Sequence, residues 1–323
     1  MVPDAALVER FKADLDKLID PRERIGVAVS GGPDSVALLL LAAAARPGKV
    51  EAATVDHALR PESAREAAQV AELCENLNVG HQILTVDWPQ KPETGIQERA
   101  RAARYKLLGA WAQDRGLRAV ATGHHLDDQV ETLVMRLNRG SGVRGLAGMG
   151  AKGAVPGSRI LLVRPLLGWR HVELEQLCRD AGSLTAHDPS NDDTQYERVR
   201  VRQALDRADW LDREGLAASA TNLRRAHAAL NWASAREWDH SVFDANGELL
   251  YRAGDAPSEI RRRIVARAIG QLATEGRGAE LRGRELDRLL EALAGGETTT
   301  IRGVLCSGGK DWRFSKAPPR RGG

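Results

Sequence analysis

The sequence predicts an α/β chain: a parallel, doubly wound sheet with helices on both faces, followed by a smaller, mostly helical domain. Three observations predict it. Short apolar, β-branched runs alternate with helical stretches of ten residues or more between Arg24 and Ala181, the pattern of parallel strands joined by crossover helices. Three of the strand ends run into chemically loaded motifs, Ser30 to Ser35, Asp56-His57 and Gly123 to Asp128. Ligands of such sheets bind beyond the carboxyl ends of the strands. Beyond residue 212 the apolar spacing is mainly helical. The length, 323 residues, suits two domains of about 150 residues each, placed at 1–212 and 213–323.

Taken in order, residues 4–19 set Leu7, Phe11, Leu15, Leu18 and Ile19 on one stripe, a helix that covers the sheet. Ile25, Val27 and Val29 make a buried strand. Gly31 and Gly32 then remove side chains where the backbone must turn. Pro33 fits the first turn of the next helix, since its missing N–H needs no partner there, and Val36 to Leu41 continue that helix as a buried one. Lys49 to Val55 reads as the second strand, Pro61 to Leu77 as a helix with Ala67, Val70, Leu73 and Cys74 inward, and Gln82 to Val86 as the third strand. Ile96 to Trp111 is a helix carrying Arg99, Arg101 and Arg104. Ala119 to Thr122 is the fourth strand, Leu126 to Leu137 a helix, Ile160 to Val163 the fifth strand, and His171 to Ala181 a helix with Leu174 and Leu177 inward. A helix bearing Arg198, Arg200 and Arg202 closes the first domain. In the second domain, helices are expected over Ala217 to Trp238, from a capping Ser258 through Leu272, and over Glu280 to Leu293. Thr298 to Val304 and Asp311 to Phe314 read as a short hairpin around Ser307-Gly-Gly, and the tail from Pro318 as disordered.

Composition excludes several classes. No run of 18 apolar residues spans a membrane, and Met1-Val2-Pro3-Asp4 lacks the regions of a signal peptide. Cys74, Cys178 and Cys306 form neither a Cys-x-x-Cys pair nor a zinc spacing, which points to a reducing cytoplasm without disulfides. Residues 213–323 carry 19 Lys and Arg against 14 Asp and Glu, while residues 1–212 carry 28 against 30. The basic C-terminal part suits a polyanionic partner, or simply an arginine-rich surface.

The chemistry concentrates in two stretches. In the first, a strand, a Gly-Gly turn and a helix N-terminus aim free N–H groups and the positive dipole end into one concavity, an anion site. Ser30 and Ser35 add hydroxyls, and Asp34 adds a carboxylate suited to magnesium. It is neither a Walker loop nor a Gly-x-Gly-x-x-Gly fingerprint. The second stretch is Gly123-His-His-Leu-Asp-Asp-Gln-Val-Glu-Thr132. Asp127 and Asp128 lie in a helical first turn, where the dipole favours negative charge, and Glu131 shares their face one turn on. His124 and His125 with these acids read as a nucleotide and magnesium site ahead of a metal cluster, since the His-Glu-x-x-His pattern is absent. Asn138 to Gly150, rich in glycine, is a loop that either wraps a ligand or connects flexibly. Arg101 and Arg104 share a helix face at i and i+3, a phosphate contact or a solvated salt-bridge face. His187 to Asn191 reads as a turn.

The string SGGPDS resembles the pyrophosphate loop of the ATP pyrophosphatases. With GIQERARAARY, GHHLDDQVETLVMRLNRGSGVRGLAGM, RPLL and DPSN following in order, residues 24–202 resemble the tRNA(Ile)-lysidine synthetase family. The resemblance implies an adenine-nucleotide α-hydrolase-like fold and an ATP-dependent ligase. It implies that ATP adenylates the wobble cytidine of the CAU anticodon of tRNA(Ile) and that L-lysine then displaces AMP. By the same resemblance, Ser30, Gly31, Gly32, Pro33, Asp34, Ser35, Asp56, His57, Gly123 and His124 bind ATP, and Asp34 and Asp128 hold Mg2+. Asp34, Asp128, its alternate Asp127, and Arg198 serve catalysis. Arg101, Arg104, His125, Glu131, Arg139, Arg144 and Arg202 face lysine or tRNA, and Arg261, Arg262 and Arg263 contact the RNA backbone. Arg198-Val-Arg-Val-Arg202 departs from the family's Arg-Asn pattern, and the C-terminal region has room for about one domain. The rival readings are another tRNA-modifying member of the same superfamily, one that transfers sulfur between paired cysteines, and a non-catalytic tRNA-binding module.

Overall fold

The computed structural model describes residues 2–59, 62–88, 90, 94–185, 193–273, 281 and 283–318. Pro61, the His187 to Asn191 turn, the start of the Glu280 helix and the end of the tail lie outside the described residues. The chain forms two units, Met1–Gly140 with Leu146–Thr221, and Ser141–Gly145 with Asn222–Gly323.

The first unit opens with α1 (Ala5–Asp16), β1 (Ile25–Ala28), α2 (Pro33–Ala45), β2 (Val50–Asp56), α3 (Glu62–Asn76) and β3 (Gly80–Thr85). It continues with α4 (Ile96–Asp114), β4 (Ala119–Ala121), α5 (Leu126–Asn138), β5 (Lys152–Ala154), β6 (Leu161–Val163), α7 (His171–Asp180) and α8 (Glu197–Arg207), while α6 (Val143–Leu146), between α5 and β5 in sequence, falls mostly in the second unit. The strand order is β3-β2-β1-β4-β6-β5, every neighbouring pair being parallel except β5 with β6. Parallel strands of this kind are covered on both faces, and there are accordingly two cores. One packs Phe11, Leu15, Ile25, Leu38 and Leu41 with Leu174 and Leu177, and the other packs Tyr105, Leu108, Trp111, Val120 and Leu162. Helix α2, apolar nearly all round, lies against both α1 and α7. Strand order reverses at β1/β4, so the loops after these two strands flank a crevice at the topological switch point.

Strand β5 escaped the sequence reading because Lys152-Gly-Ala154 is short and wholly exposed, with no apolar alternation to announce it. Helix α9 (Arg213–Ser241) moves the domain boundary. The units divide between Thr221 and Asn222, within this helix, rather than at 212/213. Its first turns pack Leu216 and Ala217 with Leu126, Val130, Val201 and Leu205, whereas Leu230, Ala233 and Trp238 join a separate core.

That second core lies in the second unit, between helices and an antiparallel sheet. The elements are β7 (Val242–Ala245), β8 (Glu248–Tyr251), α10 (Ser258–Leu272), α11 (Gly283–Ala294), β9 (Thr298–Ile301), β10 (Val304–Ser307) and β11 (Trp312–Lys316), with strand order β7-β8-β11-β10-β9. A five-stranded sheet thus replaces the expected lone hairpin. Tyr251, Val304, Cys306 and Phe314 point inward onto Ile264, Val265 and Leu293. Two turn signals mark the sheet: Asn246-Gly247 between β7 and β8, and Arg302-Gly303 between β9 and β10, all four residues at positive φ. Asn-Gly is the commonest dipeptide of such two-residue hairpins. Ser258 is the first helical residue of α10, not its cap; Pro257 holds the cap position. All three cysteines are buried and free, and among the described residues no helix is long and apolar enough to cross a membrane.

Candidate active site at the carboxyl rim

The loop after β1 is shaped by its own residues. Gly31 sits at φ 90°, a left-handed conformation that glycine adopts without penalty, and Pro33 opens α2. Ser35 Oγ donates to the Gly32 carbonyl at 2.9 Å and accepts from the Ser30 amide at 3.0 Å, which closes the turn. Gly123, after β4, touches this loop from the other side of the crevice. A Cβ built there would stand 2.9 Å from the Asp34 carbonyl, so glycine is required for the two strand ends to meet.

Asp34 is the hub. Its Oδ1 lies 2.7 Å from His171 Nδ1, and its Oδ2 lies 3.5 Å from His125 Nε2, an ion-pair contact rather than a hydrogen bond. Burial alone would raise the Asp34 carboxyl, but the two imidazoles win and hold it well below the usual carboxylate range. The rings of His125 and His171 stack with centroids 5.2 Å apart. His125, 3% exposed, stands among three carboxylates. Its Nε2 is 3.6 Å from Asp128 Oδ2 and its Nδ1 3.8 Å from Asp127 Oδ2. Burial pulls this ring's pKa down, and the surrounding carboxylates carry it above its ordinary value.

The two neighbouring aspartates have different surroundings. Asp127 accepts from the His171 amide at 2.8 Å, from Arg213 Nη1 at 2.8 Å and from Arg170 Nε at 3.3 Å. Its charge sits at the N-terminus of α7, where the helix dipole favours it. Among the described residues, Asp128 accepts one 3.1 Å hydrogen bond, from the His125 amide, with Arg198 Nη2 3.9 Å away. The Asp127 oxygens are thus engaged by three donors, more than reach Asp128 among the described residues.

Glu131 is 1% exposed and binds two arginines. Arg202 Nε donates to it at 2.7 Å, and Arg198 Nε stands 3.0 Å away, poorly aimed for a hydrogen bond but close for an ion pair. Arg198 also reaches Thr132 Oγ1 at 3.2 Å. Glu131 thus anchors Arg198 and Arg202.

A cationic cluster faces the third strand end. Arg101 and Arg104 lie over the buried Tyr105 ring, 5.0 and 5.4 Å from its centroid, and Arg164 donates to the Gly150 carbonyl at 2.7 Å. Burial and these three arginines bring His124 down to about 4 against the opposing pull of Asp128, so it is neutral at pH 7. His124 Nδ1 pairs with Thr122 Oγ1 at 2.9 Å. Burial and Arg104 likewise lower His57. Asp56 is turned inward and accepts from Ser63 Oγ at 2.6 Å and from the Ala58 amide. Positive charge held so close to two neutral histidines is arranged for an anion.

Arg139 pairs with Glu197, and the exposed Arg144 belongs to the second unit. The glycine-rich loop is pinned at its end, where the Gln129 side chain exchanges two 2.7 Å hydrogen bonds with Met149. In the second unit Arg261 donates to the Gly254 carbonyl, Arg262 pairs with Asp287, and Arg263 pairs with Glu259 and lies against Asn231 and His227. His171, Arg164, Arg170 and Arg213 were missed as site residues. Only Arg164 carried a signal, its place at the end of a strand. The others come to the rim through helix starts that no local motif marks.

The PP-loop domain family matches residues 6–208. A tRNA(Ile)-lysidine synthase from Novosphingobium aromaticivorans is 47% identical over 314 residues, 97% of this chain and 94% of that one. Those of Zymomonas mobilis and a Bradyrhizobium species are each 40% identical, covering 92% and 96% of this chain and 90% and 95% of theirs. Among solved structures, the U34-tRNA thiolase NcsA from Methanococcus maripaludis superposes with a TM-score of 0.56 at 16% identity, over 68% of this chain and 79% of its own. That likeness establishes the shared fold.

Proposed function

The chain belongs to the tRNA(Ile)-lysidine synthases of the PP-loop family, and from that premise we propose how its rim divides the work of forming lysidine. The enzyme is an ATP-dependent ligase that makes lysidine on tRNA(Ile). In the proposed sequence, the carbonyl oxygen at carbon 2 of the wobble cytidine in a CAU anticodon attacks the α-phosphorus of ATP. The bond from that phosphorus to pyrophosphate breaks. The ε-amine of free L-lysine then bonds to carbon 2, the bond from carbon 2 to the AMP oxygen breaks, and the amine gives up a proton.

The single observation that carries the proposal is the convergence at one crevice of the SGGPDS loop, the paired aspartates and an arginine cluster with no acidic partner among the described residues. The Gly31-Gly32 turn and the start of α2 take the departing pyrophosphate, where N–H groups stabilise charge as it develops. Arg101, Arg104 and Arg164 supply cations for the phosphates, and neutral His124 supplies a ring that donates or accepts without adding charge. Asp128, with its oxygens least committed, receives the lysine ammonium and takes its proton. Arg198 and Arg202, held by Glu131, bind the anticodon side. The carboxylates of Asp34 and Asp128 flank the same His125 nitrogen at 3.5 and 3.6 Å, a hard-oxygen pair that fits magnesium. A magnesium ion held by this pair would offset phosphate charge. The cytidine must leave its stack for its carbon 2 edge to be reached.

Labelled lysine, ATP, magnesium and tRNA(Ile) with a CAU anticodon test the proposal. Lysine joined to the tRNA with release of both AMP and pyrophosphate is the expected result. Absence of incorporation, with ATP still cleaved on other tRNAs, overturns it in favour of another tRNA-modifying activity on the same fold.

A further inference from the structure

We propose that Asp34, His125 and His171 form a binding site for a transition-metal dication of the zinc class, and that an ion held there excludes nucleotide magnesium from the loop. One nitrogen from each imidazole and a carboxylate oxygen lie within 4.8 Å of one another. The nitrogens stand 2.7 and 3.5 Å from the two Asp34 oxygens. Three donors each about 2.1 Å from a single zinc ion at tetrahedral angles stand about 3.4 Å apart. The separations here bracket that value, so the ligands need only shift within the same cluster to hold one ion. Two imidazoles and one carboxylate select zinc, cobalt or nickel over magnesium, which prefers oxygen alone.

A second, independent feature points the same way. Histidines that bind metals direct their other ring nitrogen at a carboxylate or carbonyl, which fixes the tautomer and ring orientation. Each ring here has a carboxylate within 4 Å of that nitrogen, at ion-pair distance and without a hydrogen bond. His171 Nε2 lies 3.4 Å from Glu175 Oε1, and His125 Nδ1 lies 3.8 Å from Asp127 Oδ2. That buried His125 nitrogen has no hydrogen-bond partner; an ion on Nε2 would fix the proton on Nδ1 and turn it to Asp127. Asp127 also receives the His171 amide and Arg213, so the same carboxylate that backs one ligand holds the helix carrying the other. His171 and Asp34 are half-exposed, which leaves a path from solvent. The exclusion of magnesium rests on the reading of Asp34 as a nucleotide-side carboxylate; the site itself does not.

The test uses the full chain, free of any affinity tag and stripped with a chelator. ZnCl2 is titrated calorimetrically without nucleotide, and CoCl2 is followed by its visible absorption. One ion per chain is expected. H171Q, whose melting curve is checked first because the side chain is half-exposed, should weaken binding tenfold or more, and E175Q should weaken it less. H125Q should also lose the ion, but H171Q decides the matter should the buried variant fail to fold. Absence of binding below about millimolar zinc, or wild-type affinity in H171Q, overturns the site. Saturating ATP with magnesium should weaken zinc binding. Unchanged zinc affinity under those conditions overturns the exclusion and counts against Asp34 as the nucleotide's metal ligand, whereas the lysine incorporation assay alone bears on the reaction.

Discussion

Asp127 and Asp128 are adjacent and chemically identical, yet the fold gives them different surroundings. Three donors, from Arg170, Arg213 and the His171 amide, engage Asp127, while Asp128 keeps more oxygen capacity. Replacing Asp127 with Asn leaves cationic donors facing a neutral amide, at a cost of about 1–3 kcal/mol. In a unit of this size that is a fall of roughly 2–4 °C in melting temperature per kcal/mol. Asp128→Asn removes no comparable bond. Its melting curve should stay within about a degree of the parent, and lysine transfer should drop by a factor of about 100 or more, the range for a lost general base. Calorimetry and single-turnover lysine transfer on both variants check this. Asp127→Asn with unchanged stability, or Asp128→Asn with full activity, refutes the division.

At the scale of elements, the site exists because the loop after β1 and the loop after β4 touch. Gly123→Ala puts a Cβ 2.9 Å from the Asp34 carbonyl, and backbone on both sides limits relief. Overpacking of this kind costs about 1–3 kcal/mol. It should displace the loop that carries Asp34, so KM for ATP is expected to rise more than KM for tRNA. Equal KM values in the variant and the parent would show that the contact does not position the loop. The strands that build this crevice were legible because their apolar runs are buried on both faces, as with Ile25, Val27, Ala52 and Val120. So was the loop, because glycine, proline and serine in that order have one common use. The rest was not legible for two reasons. Strands such as Val242–Ala245 are only four residues long and mostly exposed, so no alternation of burial announces them, and they are held mainly by their partners. Residues such as His171 and Arg213 reach Asp34 and Asp127 across 137 and 86 positions of sequence, so no local spacing reveals them.

For the molecule as a whole, charge is divided along the chain, with the surplus of arginine beyond residue 212. Position in the run Arg261 to Arg263 does not decide which arginines are available to RNA, since Arg262 and Arg263 are paired inside their own unit. Availability lies instead on α9, where Trp232 is 64% exposed and the Arg236 guanidinium lies 5.0 Å from its ring. An exposed indole beside a guanidinium can stack on an unpaired base while the cation meets phosphate. Arg236→Ala should therefore weaken tRNA binding and reduce the slope of log affinity against log salt by about one. Trp232→Ala should weaken binding by about 1–3 kcal/mol with the salt slope unchanged, since stacking is its whole contribution. Arg263→Ala strips a largely buried guanidinium from Glu259 and Asn231; it should lower the melting temperature and leave the slope alone. Binding titrations with tRNA(Ile) between about 50 and 200 mM salt distinguish these cases, because each counterion released per phosphate contact appears directly in the slope. If Arg263→Ala moved the slope and Arg236→Ala did not, the RNA would lie on α10, and the arginine run read from the sequence would be its contact after all.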